Sequence, residues 1–111
     1  MIKGIGIDIV EVEKIKTIIS KWGDKFLNKC FTKNEILYCN NKSNPYIHYA
    51  GKFAAKEAVM KATGYSSSYK KIEILNEKDG KPNLFDNKNV MLSIAHTDKY
   101  AVAFAIFGND E

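Results

Sequence analysis

The sequence predicts an α+β fold in which an antiparallel sheet packs against one long helix. Two patterns carry that expectation. Helical periodicity clusters between Glu11 and Ala62, and β-rich runs separated by hairpin-type turns follow it. A third observation sets the scale. The 111 residues form one domain over positions 1–111, because chains divide into separate cores only beyond roughly 250 residues.

The elements follow in order. From Ile2 to Val10, Ile5, Ile7 and Ile9 alternate with Gly4, Gly6 and Asp8, the period of a strand with one apolar face. The other face is bare, leaving room for a helix, another backbone or a ligand to come close to Asp8. Between Glu11 and Trp22, Val12, Ile15, Ile18, Ile19 and Trp22 recur at three- and four-residue spacing, an amphipathic helix stopped by Gly23. A short apolar segment holds Phe26, Leu27 and Phe31. Thr32 and Glu35 then have the spacing of a capping box opening another helix.

The polar run Asn40–Asn44 is a loop, and Pro45 suits the first turn of the longest helix, Tyr46 to Ala62. Its alanines at 50, 54, 55, 58 and 62 permit close packing, and Gly64 ends it. Lys71–Leu75 alternates, Asp79-Gly80 turns the chain, and Pro82–Phe85 returns. Val90–Ala95 and Tyr100–Phe107 form a second hairpin around His96-Thr97-Asp98-Lys99.

Composition excludes several classes. With 45% hydrophobic and 27% charged residues the chain is too apolar to be disordered. A core of this size is modest, so a deep cleft within one subunit would consume much of it, and oligomerisation is expected. The net charge of +4 comes from lysine alone. Arginine's planar fork is absent, which weighs against sequence-specific nucleic-acid reading. Cys30 and Cys39 form neither a C-x-x-C pair nor a Cys/His cluster, so they read as buried thiols in a reducing compartment. A carboxylate at position 8 and the lack of an apolar run of about 18 residues point to a cytoplasmic protein.

Three constellations could carry chemistry. Asp8 lies on an otherwise apolar strand and needs a compensating group, or else caps the following helix. Phe53, Glu57 and Lys61 fall within about 80° on one helix face. Glu57 with Lys61 is either a solvated i,i+4 ion pair or a functional face, and the alanine flanks favour the latter. His96 sits at a hairpin tip near Ser93 and Thr97. Neither Ser93 nor the two cysteines belongs to a triad pattern, which disfavours acyl-enzyme chemistry.

Taken in order, Ile5-Gly6-Ile7-Asp8, Phe31–Glu35, Gly51–Lys61, Gly80-Lys81-Pro82 and Ser93–Thr97 resemble the holo-(acyl-carrier-protein) synthases. These are small members of the 4′-phosphopantetheinyl transferase superfamily. The resemblance spans nearly the whole chain, with shorter loops around Asn40–Asn44 and Ser66–Tyr69. It implies the family's fold and the transfer of the phosphopantetheine arm of coenzyme A to a serine of apo-acyl carrier protein. Adenosine 3′,5′-bisphosphate is released, magnesium is the cofactor, and the pathway served is fatty acid biosynthesis.

By resemblance Asp8 and Glu57 hold the magnesium, a hard cation suited to a few carboxylates, phosphate oxygens and water. Lys61 stabilises the leaving phosphate, and Glu57 is the candidate for receiving the serine proton. Lys52, Lys56 and His96 match positions that contact the coenzyme A phosphates, with Pro82 toward the adenine. The first helix, through Lys14, Lys21 and Lys25, docks the acidic carrier protein. The three lysines share one face if that helix continues past Gly23, and the alternative is a solvated lysine face. The family is typically a homotrimer with active sites between subunits, and Ala101–Phe107 is the expected contributor to its core. Neither a membrane nor a nucleic acid is an expected partner. The rivals are a basic single-strand-binding module using lysine and aromatic platforms and a non-catalytic oligomerisation domain.

Overall fold

A computed structural model describes residues 1–109. Strand β1 (Ile2–Glu11) leads into helices α1 (Val12–Trp22), α2 (Asp24–Cys30), α3 (Lys33–Asn40) and α4 (Pro45–Thr63). Strands β2 (Ile74–Asn76), β3 (Pro82–Leu84), β4 (Val90–His96) and β5 (Tyr100–Gly108) complete the chain. The main sheet is antiparallel in the order β1-β5-β4, and β2 and β3 form a separate two-stranded ribbon.

The glycines of β1 determine how the sheet meets α4. A Cβ at Gly4 would lie 1.9 Å from the carbonyl oxygen of Ala62, and one at Gly6 would lie 2.0 Å from that of Ala58. Helix and strand backbones are therefore in contact, which only a missing side chain permits. Ala54, Ala55, Ala58 and Ala62 of α4 pack with Ala103 and Ala105 of β5 in one core cluster. A second cluster joins Val12, Ile15, Leu27, Phe31, Cys39 and Tyr49 beneath α1–α3.

The apolar face of β1 is the outer one. Ile5, Ile7 and Ile9 are 62%, 59% and 64% exposed. They pair with Ile106, Phe104 and Val102 of β5, which in turn face Met91, Ser93 and Ala95 of β4. One side of the sheet is thus a nearly continuous apolar surface. The other carries Ala101, Ala103 and Ala105, which are buried toward the helices.

Local signals explain the ends. Gly23 has φ +54° and stops α1, so α2 begins on a new axis and Lys25 does not continue α1. Gly64, with φ +76°, caps α4. The expected strand Lys71–Leu75 pairs only from Ile74. Tyr69–Lys71 forms a 3₁₀ turn instead. The Ile72 carbonyl accepts a hydrogen bond from the Lys56 ammonium at 2.6 Å, which ties this segment to α4.

Candidate active site

The close approach of β1 and α4 sets Asp8 beside the last two turns of the helix. Lys61 reaches back across it, its Nζ 3.3 Å from Asp8 Oδ1 and 3.0 Å from the Ile7 carbonyl oxygen. The Asp8 side chain is 20% exposed and that of Lys61 56%, so the pair lies at the edge of solvent. Asp8 is not a helix cap: the N-cap of α1 is Glu11, which makes no side-chain capping bond. Lys61 takes Asp8 as its carboxylate partner, not Glu57 one turn earlier.

Glu57 has a partner that the sequence did not announce. The Tyr69 hydroxyl donates to it at 3.4 Å (Oε1) and 3.5 Å (Oε2). The Tyr69 ring stacks on Phe53, centroids 4.9 Å apart. Burial first, then the Glu57 carboxylate, with smaller effects from Cys30 and Asp8, pushes the Tyr69 phenol up. It stays a protonated donor at neutral pH. Nothing in the spacing of Tyr69, placed after a serine run, could have flagged it.

Lys56 is not brought to this site. Its side chain is fully buried and paired with an equally buried Glu35 at 2.8 Å. It also donates to the carbonyls of Tyr69 (2.8 Å) and Ile72 (2.6 Å), so all three protons are engaged. The reason lies in the capping box. Glu35 Oε1 accepts from Thr32 N and Oε2 from Ile74 N, a carboxylate drawn into the core, and a buried charge needs a counter-charge. Lys56 supplies it and in doing so fixes the Tyr69 turn.

Lys52, His96 and Pro82 do come together. They line one cavity of about 200 Å³ with Tyr38, His48 and Asn76. Lys52 is buried and donates to the Ile74 carbonyl and Asn76 Oδ1, each at 2.6 Å. Desolvation pushes its pKa down. Tyr38 and His48 were missed because an aromatic and a histidine inside helical patterns carry no distinguishing spacing. Asp8, Glu57 and Lys61 do not line this cavity.

Asp8 borders a different groove, which continues between β1 and α1 past Lys14, Ile18 and Phe53. Lys14 is exposed, with only a 3.9 Å contact to Glu11. Lys21 and Lys25 converge despite the helix break, both lying over the Trp22 ring at 5.3 and 5.9 Å. Trp22 is 52% exposed.

The donors fit a hard cation sparsely held. Among the described residues no group of three or more His, Cys, Asp and Glu could enclose a metal. Asp8 is nevertheless paired with Lys61, which lies one turn along α4 from Glu57, so two oxygen-donor carboxylates flank the seam of β1 and α4. That set suits an ion that keeps waters and substrate oxygens. Thiol chemistry is unsupported: both cysteines are buried, and burial pushes Cys39 to about 12.

Residues 4–105 match the model of the 4′-phosphopantetheinyl transferase superfamily, and the chain belongs to it. The more particular likeness is to holo-[acyl-carrier-protein] synthases. The one from Protochlamydia amoebophila is 47% identical over 122 aligned positions, covering 98% of this chain and 100% of the relative. That of Thermodesulfovibrio yellowstonii is 48% identical, covering 96% and 98%. Among solved structures, the Bacillus anthracis synthase in complex with CoA (3′,5′-ADP) superposes with a TM-score of 0.84 at 37% identity, covering 96% of each chain. The Neisseria meningitidis synthase gives 0.89 at 30% identity, covering 98% and 100%.

Proposed function

We infer that this protein is a holo-(acyl-carrier-protein) synthase. It transfers the 4′-phosphopantetheine group of coenzyme A to a serine of apo-acyl carrier protein, releases adenosine 3′,5′-bisphosphate, and serves fatty acid biosynthesis. The observation that carries this reading is the seam of β1 and α4, where the Asp8–Lys61 pair lies one helical turn from Glu57 and its partner Tyr69, in a chain of this superfamily.

In the reaction the serine oxygen bonds to the phosphorus that bears the pantetheine arm, and the bond from that phosphorus to the bridging oxygen breaks. The serine proton has to leave as the bond forms. Glu57, held by the Tyr69 hydroxyl, is the carboxylate suited to receive it, directly or through water. Lys61 is the cation suited to the negative charge that builds on the leaving phosphate, and its half-exposed side chain is consistent with that task. Asp8 and Glu57 are the residues we assign to magnesium, which when bound supplies Lewis-acid stabilisation of the pyrophosphate oxygens. Lys52, His96 and Pro82 are assigned to coenzyme A, and Lys14, Lys21 and Lys25 to the carrier protein.

We place the active form as a homotrimer. The exposed isoleucine face of β1, continued by Phe104 and Met91, is a contiguous apolar surface of the kind that marks an interface. The separation of the Lys52–His96 cavity from Asp8 and Glu57 supports sites completed by a neighbouring copy. The face is formed by Ile5, Ile7 and Ile9 together with Val102, Phe104 and Ile106 of the run expected to contribute. No helix among the described residues is long and apolar enough to cross a membrane. We assign the protein to the cytoplasm, where two unpaired buried thiols persist.

The test is mass spectrometry of apo-acyl carrier protein incubated with coenzyme A and magnesium. A phosphopantetheine mass gain that vanishes with Asp8→Ala and Glu57→Ala is expected. No gain with several carrier proteins would overturn the reading, and sedimentation of a fully active monomer would overturn the trimer.

A further inference from the structure

The cavity holding Lys52 contains more basic groups than the sequence motifs supply. His48, on α4, and His96, at the end of β4, approach with ring centroids 6.0 Å apart and planes at 63°. His48 also packs edge-on against Tyr38 at 5.9 Å. Two ammonium groups lie over the Tyr38 ring, Lys42 at 4.5 Å and Lys52 at 4.6 Å from its centroid. Three basic side chains from α4 and β4, His48, Lys52 and His96, thus line one small space, with Lys42 of the loop after α3 next to it on the Tyr38 ring. Among the described residues no carboxylate lines it and no protein group hydrogen-bonds either imidazole.

Basic groups this close together repel one another when charged. Burial, then Lys42, His96 and Lys52 in turn, pushes the His48 pKa down from 6.5, so with no anion beside it His48 is neutral at pH 7. An anion reverses the balance. A phosphate group carries up to two negative charges and three strong acceptor oxygens, and it would satisfy ring N–H donors that the protein leaves free.

We propose that His48 is a further phosphate-binding residue, joining Lys52 and His96 in receiving a phosphate group of the co-substrate and taking up a proton as it does so. The inference rests on the reading of this protein as a coenzyme A-dependent transferase. Its sign follows from linkage. A group that is neutral in the free protein and protonated in the complex makes binding tighter as pH falls, by at most about tenfold per pH unit for one proton. The free protein moves the other way. Its depressed His48 is protonated more readily when unfolded, so stability is lost below about pH 6.5, the unperturbed histidine value.

The experiment uses the intact protein with magnesium and adenosine 3′,5′-bisphosphate as probe. Titration calorimetry at pH 7 in buffers of different ionisation enthalpy reads proton uptake directly. NMR of the unsubstituted protein reads the His48 ring with and without the probe. We expect net uptake and a His48 titration displaced to higher pH on binding. We also expect a Kd that falls about three- to tenfold from pH 8 to pH 6.5. His48→Gln and His48→Phe should each flatten that dependence relative to the unsubstituted protein. If the probe binds but the His48 titration is unmoved and both variants keep the full dependence, the proposal is wrong while the transferase reading stands. If neither adenosine 3′,5′-bisphosphate nor coenzyme A binds at any pH, the transferase reading fails and takes the proposal with it.

Discussion

Helix α4 carries two lysine–carboxylate pairs five residues apart, and they differ in almost every physical respect. Lys56 and Glu35 are both fully buried at 2.8 Å, with every donor and acceptor engaged by Thr32, Tyr69, Ile72 and Ile74. Lys61 and Asp8 meet at 3.3 Å at the edge of solvent, with side chains 56% and 20% exposed. The first pair is saturated and can accept no further ligand. The second keeps one carboxylate oxygen and one ammonium proton free of protein partners among the described residues. A charge is therefore available for chemistry where its partners under-fill it, and the buried pair serves the neighbouring Glu57 by fixing the turn that carries Tyr69.

Removing one member of the buried pair should give the largest effect. Lys56→Met leaves the Glu35 carboxylate unpaired in the core, at a cost of about 3–5 kcal/mol. For a chain of this size that is a fall in Tm of roughly 10 °C or more, read by calorimetry. Lys61→Met should shift Tm little, since a partly exposed ion pair contributes about 0.2–1 kcal/mol. It should lower kcat by about 10²–10³-fold, the usual loss for one charge-stabilising donor. Equal thermal losses in the two variants would collapse the distinction between them.

Tyr69→Phe tests the link between the regions. It keeps the ring against Phe53 and removes only a long hydrogen bond to Glu57, worth about 0.5–1.5 kcal/mol. The expectation is a kcat lowered roughly three- to tenfold, with KM for coenzyme A unchanged. A change in KM alone would mean that Tyr69 shapes the binding of coenzyme A and does not position Glu57.

These two regions also show what a sequence can disclose. The strand, the capping box, the long helix and the glycine stops were legible because each depends on neighbours within a few residues. The bare face of β1 was legible as a place for close approach, and α4 occupies it. The fate of Lys56 was not. Lys52 and Lys56 have the same type and one-turn spacing, yet one borders a cavity and the other neutralises a carboxylate 21 positions away. Local pattern shows the capping half of Glu35's bonding and is blind to the half made across the fold. His48 and Tyr69 were hidden for the same reason, each being defined by contacts from a different element.

The smallest effect concerns the basic surface beside the open pair, and it decides whether that surface is more than solvated lysine. Lys14 borders the groove that contains Asp8, and Lys21 lies over an exposed Trp22. Neither makes a bond on which the fold depends. Lys14→Glu combined with Lys21→Glu should therefore leave Tm nearly unchanged. Such a surface acts through long-range attraction, so the double variant should raise KM for carrier protein about twofold to threefold at low salt and leave kcat unaltered. The difference should shrink as added salt shortens the screening length to below about 10 Å. KM for coenzyme A is the internal control, because the cavity that holds Lys52 lies apart from these lysines. An unchanged KM for carrier protein at low salt would assign Lys14 and Lys21 to a solvated face. The acidic partner would then have to dock elsewhere.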